Sequence, residues 1–239
     1  MATAVLAIVG VVLISVGLTS RSSPPVPPAS VLAQGQPGPT SAAGSPVPSS
    51  APSSPVPTTA ATPAAPSSSS PPSAQPPSST GPVLPGSNPL RLTVPRLGVD
   101  HDLVSLGLNP DGTVAVPPLS QVRTPSWYDR SPTPGSLGPA AIYGHIDSAQ
   151  YGRGVFYELG AMRPGDPISI TRADNTVAEF TVSAVREYKK QAFPTLAVYG
   201  NINYAGLRLI TCGGPFDAKT GNYLDNIVVY ATLTSSHPA

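Results

Sequence analysis

Residues 90–239 of this chain are predicted to fold as an all-β domain, a closed or nearly closed barrel of about eight strands with only short helices or turns. Three observations carry that reading. From Leu90 onward, short apolar or alternating runs are separated by Pro, Gly, Asn and Asp, the punctuation of successive strands. No long segment repeats its apolar residues at the helical period. The composition also breaks at this point: residues 1–89 hold 20 of the 33 prolines and a single charged side chain, Arg21, so the part able to bury a core is the 150 residues that follow.

The first strand is expected at 90–94, where Leu90, Leu92 and Val94 alternate with Arg91 and Thr93, and the second at 99–103. Asn109-Pro110-Asp111-Gly112 is a turn, Pro110 fixing one backbone dihedral and Gly112 supplying a positive one, which makes a hairpin of the second strand and a third at 113–116. Ala140-Ala141-Ile142-Tyr143 is a wholly apolar fourth strand, and 167–171 and 179–185 alternate around Ile168, Ile170, Phe180 and Val182. The last two runs are 207–212, ending in Thr211-Cys212, and 226–233. Eight such runs, each short, imply a sheet closed on itself.

Ahead of the domain, residues 2–18 form a run of apolar and small residues in which only Thr3 and Ser15 carry hydroxyls. Its 17 residues are at the short limit for a spanning helix and exceed the usual apolar core of a cleaved signal peptide; both readings predict export. With no small-x-small cleavage pattern just after it, residues 1–21 are expected to be an uncleaved anchor, leaving a single-pass protein in the cell membrane with its folded domain outside. Arg21, placed after the run, argues for the opposite orientation on the positive-inside rule, and the exportable character of the next segment outweighs it. Residues 22–89 are built from Pro, Ser, Ala, Thr and Gly and lack the apolar surface to offset ordering entropy, so they are expected to be a disordered linker. At about 3.1 Å per residue in polyproline II segments, it reaches on the order of 100 Å. A ligand for Pro-binding modules or an O-glycosylated stalk is a sharper reading of the same composition, with the plain spacer favoured over both.

The formal net charge is +1, with no basic run and no interleaving of basic and aromatic residues, which excludes a nucleic-acid footprint. One cysteine rules out an intramolecular disulfide, and a lone thiol on an exported chain is either reactive or an intermolecular link. Of three histidines, His237 lies in a polar tail and His101 between Asp100 and Asp102, leaving His145, which follows an apolar strand and Gly144. Cys212 also ends an apolar strand and runs into Gly213-Gly214-Pro215. Residue types alone leave open a small buried Cys212 and a His145 that merely turns the chain.

Leu209-Ile210-Thr211-Cys212 resembles the Thr-Leu-x-Thr-Cys signature of sortases, and Gly144-His145-Ile146-Asp147-Ser148 resembles their upstream histidine segment. The stretch from Thr211 through Phe216-Asp217, then Thr220-Gly221-Asn222-Tyr223 and Asp225-Asn226-Ile227-Val228-Val229-Tyr230-Ala231, is most similar to class F sortases of actinobacteria, as are Trp127-Tyr128 and Phe193-Pro194. The resemblance spans 90–239 and implies an eight-stranded sortase barrel. It also implies a cysteine transpeptidase of the hydrolase class. Cys212 as thiolate would attack a carbonyl in a Leu-Pro-x-Thr-Gly type sorting signal, His145 would serve as acid and base, and an amine acceptor such as a peptidoglycan stem peptide would resolve the thioacyl intermediate. The membrane would be engaged through the N-terminal helix.

Sortases usually place an arginine on the strand after the cysteine as an oxyanion donor, and here residues 224–231 contain none. Asn226 could donate through its amide. Arg208 shares the strand face of Cys212 but lies about 13 Å along it, and reads as a surface or ion-pair residue, just as Asn226 reads as a strand-start turn residue. Trp127-Tyr128 reads as packing. Asp147 could orient His145 or join a metal site, but one carboxylate and one usable histidine do not make a ligand cluster, so no metal and no cofactor are expected. Two rivals stand beside the transpeptidase reading. One is a non-catalytic envelope display module with a buried cysteine. The other is a different peptidoglycan cysteine transpeptidase, disfavoured because His145 and Cys212 are 67 positions apart.

Overall fold

A computed structural model of the chain describes residues 23–27 and 79–239. The expected anchor at 1–21 and most of the linker lie outside the described residues; among those described, no helix is long and apolar enough to cross a membrane.

The folded part is an all-β barrel. Among the described residues eleven strands are formed: β1 Pro89–Val94, β2 Val99–Asp102, β3 Val104–Leu106, β4 Ser126–Tyr128, β5 Gly138–Tyr143, β6 Asp147–Ser148, β7 Gly152–Arg153, β8 Pro167–Arg172, β9 Thr176–Lys189, β10 Ala205–Asp217 and β11 Asn222–Pro238. Nine of them make one sheet in the order β2-β1-β8-β9-β11-β10-β5-β4-β3, while β6 and β7 form a separate hairpin. The two edges of the sheet, β2 and β3, are successive in the chain with only Leu103 between them. Leu103 N–H donates to Leu90 O on the β1 side at 2.8 Å, and Val104 N–H to Pro125 O on the β4 side at 3.2 Å. One stretch of chain therefore serves both edges, and the sheet is nearly closed.

The barrel has nine strands where eight were expected. The run at 113–116 is not a strand: the Asn109–Gly112 turn forms, with Gly112 at φ 82° and its N–H donating to Asn109 O at 2.9 Å, but it closes only an isolated bridge between Leu108 and Val114. The strands in that region are instead β3 and β4, three residues each and too short to show a period. The last strand runs on to Pro238, so His237 lies in a paired strand opposite Val177 and not in a loose tail.

Alternation along the strands sorts side chains to two sides. Leu92, Ile142, Phe156, Ile168, Phe180, Leu207, Leu209 and Val229 fill the interior. Ala141, Ile210 and Val228 face outward and are covered by a short helix, α1 (Thr195–Tyr199), through Val198, with Tyr143, Tyr188, Phe193, Tyr199 and Tyr230 around them. Trp127 is buried in the interior, its Nε1–H donating to Pro132 O at 3.3 Å, as a packing residue.

Packing against the barrel starts ahead of residue 89. Leu84 packs on the interior cluster and donates its N–H to Gly135 O at 2.8 Å, Thr80 N–H donates to Asn203 O at 2.6 Å, and the buried Arg172 guanidinium donates to Pro85 O. Residues 80–88 are thus a strap laid on the fold. Pro27 is also buried, and the carbonyl of Pro25 lies so close to Gly160 that no Cβ would fit there.

Candidate active site

β5 and β10 are parallel neighbours, an exception in a mostly antiparallel barrel, with Leu209 opposite Ile142 and Ile210 opposite Tyr143. The ladder continues past β5, since Gly144 N–H donates to Ile210 O at 3.1 Å. Carried two residues further, this register sets His145 level with Cys212, one strand over, where parallel backbones run about 4.8 Å apart. Tyr143 and Ile210 face outward, so by alternation His145 and Cys212 do too. Both are half-buried and the thiol is free.

Glycines allow the close approach behind both residues. A Cβ on Gly144 would stand 2.5 Å from Phe156 Cδ2 and from Val155 Cγ1, and one on Gly213 would stand 2.6 Å from Ile227 Cγ1. The chain after His145 is pinned as well: Phe156 N–H donates to His145 O at 3.0 Å and Gly154 N–H to Ile146 O at 2.8 Å. The ring is held by Nε2, 2.6 Å from Pro117 O; a carbonyl only accepts, so Nε2 carries a proton there.

Asn226 is the direct cross-strand partner of Cys212 on β11, and Tyr188 is in turn its partner on β9, so the three side chains form one row on the outer face. Asn226 is therefore a neighbour of the thiol within a strand and not a turn residue. Arg208 is not a surface residue, and among the described residues it makes no ion pair. It is 1% exposed, its guanidinium carbon lies 4.5 Å from the centre of the Tyr230 ring, and Nη1 donates to Leu207 O at 3.1 Å. A Cβ on Gly206 would meet that Nη1 at 3.1 Å, so the guanidinium leans away from Cys212. Asp147 does not bond the imidazole: it accepts from Tyr223 Oη at 2.7 Å, tying β11 to the β6–β7 hairpin. Burial first, and this carboxylate second, push the Tyr223 phenol well above its ordinary range. Among the described residues no three His, Cys, Asp or Glu side chains gather into a ligand cluster.

One residue was missed by the sequence reading. Lys190, exposed in the turn after β9, reaches back so that its Nζ lies 3.5 Å from Cys212 Sγ. No motif marks it; only the register that sets Tyr188 across from Asn226 brings the end of β9 to the cysteine. Lys190 also lines a cleft of about 560 Å³ with Gln191, Pro215, Asn222, Tyr223 and Leu224. Leu224, 45% exposed, and Pro215 give it an apolar wall.

The arrangement offers a half-open thiol, an imidazole at the same level, an amide and an ammonium around it, and an open cleft alongside. Such a set can perform acyl transfer through sulfur.

Among known proteins, the family model described as the sortase domain matches residues 92–234. Solved structures similar to this fold include the SrtA sortase of Actinomyces oris, 22% identical, covering 68% of this chain and 88% of that one at a TM-score of 0.48. Sortase A of Listeria monocytogenes is 16% identical, with coverages of 64% and 91% and a TM-score of 0.48. The sortase D5 transpeptidase of Clostridium perfringens is 18% identical, with coverages of 62% and 79% and a TM-score of 0.46. No curated protein matches. With the family model covering more than half of its length, the chain belongs to the sortase family and is a sortase-type cysteine transpeptidase.

Proposed function

We propose that this sortase cleaves a Leu-Pro-x-Thr-Gly type sorting signal through a thioacyl intermediate on Cys212 and passes the acyl group to an amine of the cell envelope, such as a peptidoglycan stem peptide. The observation that carries this reading is the parallel β5–β10 register, which brings His145 level with the lone thiol on one face. The Cys212 thiolate forms a bond to the peptide carbonyl carbon, and the carbonyl π pair moves to oxygen. Collapse of the tetrahedral adduct re-forms the carbonyl and expels the amine, which takes a proton from the His145 imidazolium. The acceptor amine then attacks the thioester, gives a proton to the neutral imidazole, and the thiolate leaves. The apolar wall of Leu224 and Pro215 suits the apolar part of such a signal. Class F kinship rests on the motif from Thr211 to Ala231, and a place on the outer face of the cell membrane rests on the apolar run 2–18 with its Pro-rich spacer.

The test is intact mass of the protein after incubation with a sorting peptide whose scissile carbonyl is replaced by a thiol-trapping group. A single adduct is expected on the wild type, absent in Cys212→Ala and slowed in His145→Ala. A folded, reduced wild type that takes up no adduct would sink the proposal in favour of a display module.

A further inference from the structure

We propose that Lys190 is a catalytic residue of this enzyme: its ammonium is the cation that holds the Cys212 thiolate and then the oxyanion formed on the carbonyl that sulfur attacks. The inference rests on the acyl-transfer reading of Cys212 and adds a residue to it.

Negative charge appears twice in acyl transfer through a thiol, on sulfur before attack and on the carbonyl oxygen in the tetrahedral adduct, and a donor fixed at that point lowers both barriers. Each position around Cys212 can be searched for such a donor. On β10 itself, Arg208 is turned toward Gly206, stacked on Tyr230 and buried, out of reach. Across the sheet, β11 presents the uncharged Asn226, and the next outward residue along β11, Leu224, is apolar. On the β5 side stands His145, whose Nε2 is engaged by Pro117 O. Beyond it, Asp147 and Tyr223 are bonded to each other, an acceptor and a phenol held protonated by burial and by that carboxylate. The remaining direction is the end of β9, and from there Lys190 Nζ lies 3.5 Å from Sγ, inside the range of a hydrogen bond to sulfur.

The oxyanion forms on the carbon bonded to that sulfur, so the ammonium that bonds the thiolate remains next to the oxygen after attack. The lysine suits this shift because its flexible stem carries a compact charge with three donors. Lys190 also lines the cleft in which the peptide would lie, so the charge stands at the junction of nucleophile and substrate.

The experiment uses the full chain as wild type, Lys190→Met, Lys190→Arg and Cys212→Ala, with two readouts. With a sorting peptide and a small amine, Lys190→Met is expected to lose about 100-fold in kcat with little change in KM, the cost of one oxyanion donor, while Lys190→Arg keeps most of the activity. With alkylating reagents, the ratio of the rate for anionic iodoacetate to that for neutral iodoacetamide is expected to fall severalfold in Lys190→Met and to hold in Lys190→Arg. A role in folding alone would leave that ratio unmoved. Wild-type kcat and an unchanged ratio in Lys190→Met, with Cys212→Ala inactive, would overturn the assignment and leave the acyl-transfer reading standing. A wild type that is itself inactive and takes up no adduct would instead overturn the reading on which it rests.

Discussion

Gly144 is the position at which fold and chemistry are most tightly coupled, and its replacement by alanine gives a worked outcome. The new Cβ would lie 2.5 Å from Phe156 Cδ2, 2.5 Å from Val155 Cγ1 and 2.9 Å from Phe156 Cε2. Neither neighbour can withdraw: both are buried, Phe156 N–H is bonded to His145 O and Val155 N–H to Val122 O, each at 3.0 Å. Strain of this kind costs about 1–3 kcal/mol. At roughly 2–4 °C per kcal/mol for a domain of this size, the melting temperature should fall by about 2–12 °C. The part that yields most easily is the strand end carrying His145, and a displacement of about 1 Å there is worth roughly 100-fold in rate. Gly144→Ala is thus expected to lower both Tm and kcat/KM, measured by calorimetry and by peptide cleavage. Gly86→Ala, where the new atom meets nothing closer than 3.8 Å, serves as the neutral control. A Gly144→Ala protein with the Tm and kcat/KM of the wild type would refute the claim that this glycine is required for packing behind the histidine.

Two further outcomes follow from the same geometry. Arg208→Met removes a buried charge whose Nε finds no partner among the described residues, against the loss of a bond to Leu207 O and of the stacking on Tyr230; these effects are each about 1–3 kcal/mol and oppose one another, so Tm should move little and kcat by less than threefold, whereas a 100-fold fall in kcat with Tm retained would return Arg208 to the active site. Glu187 has its carboxyl pushed above the ordinary 4.5, by burial first and then by Asp225, so the folded state holds that proton more tightly than the unfolded chain and stability is lost as pH rises through the raised value. Glu187→Gln should match the wild type in Tm below about pH 4 and exceed it by a margin that grows as pH passes the ordinary carboxylate range and levels off above the raised value; a constant gap at all pH values would contradict this.

Much of the barrel was legible because interior strands announce themselves: 90–94, 140–143, 167–171, 179–185, 207–212 and 226–233 all fall within strands of the structure. The errors share a physical cause. β3 and β4 hold three residues each, too few for alternation to appear, and the C-terminal part of β11 pairs with β9 through its backbone while Ser235, Ser236 and His237 stay exposed, so no apolar pattern marks it. The turn at 109–112 was correct locally, but turn chemistry does not say which strands it joins. At the site, Cys212 and His145 stand out as the lone cysteine and a histidine after an apolar strand, each within a sortase-like motif, and Asn226 by its place after the cysteine; β10 does not end at Cys212 as expected but continues to Asp217, paired with β11 by its backbone. Arg208 was misread because a charged residue in an apolar run usually reaches water, and here it is covered by Tyr230. Lys190 could not be read at all, since an exposed lysine in a turn carries no pattern.

The way β5 and β10 pair explains why chemistry sits at this end of the barrel. Antiparallel neighbours run toward opposite rims, which would leave the residue after one apolar run and the residue closing the other a strand length apart. A parallel pair brings both to one rim: His145 follows β5, and Cys212, within β10, stands level with it. Parallel pairing in turn demands a long crossover, and the chain between Tyr143 and Ala205 supplies it. That crossover contains the β6–β7 hairpin that pins the backbone after His145, the strand β9 that carries the turn with Lys190 to the thiol, and α1, which covers the outer face below Cys212. Residues distant in sequence therefore meet because the one connection that the parallel pair requires also delivers the groups that surround it. A change that shortened the crossover would therefore disturb the site without touching Cys212 or His145.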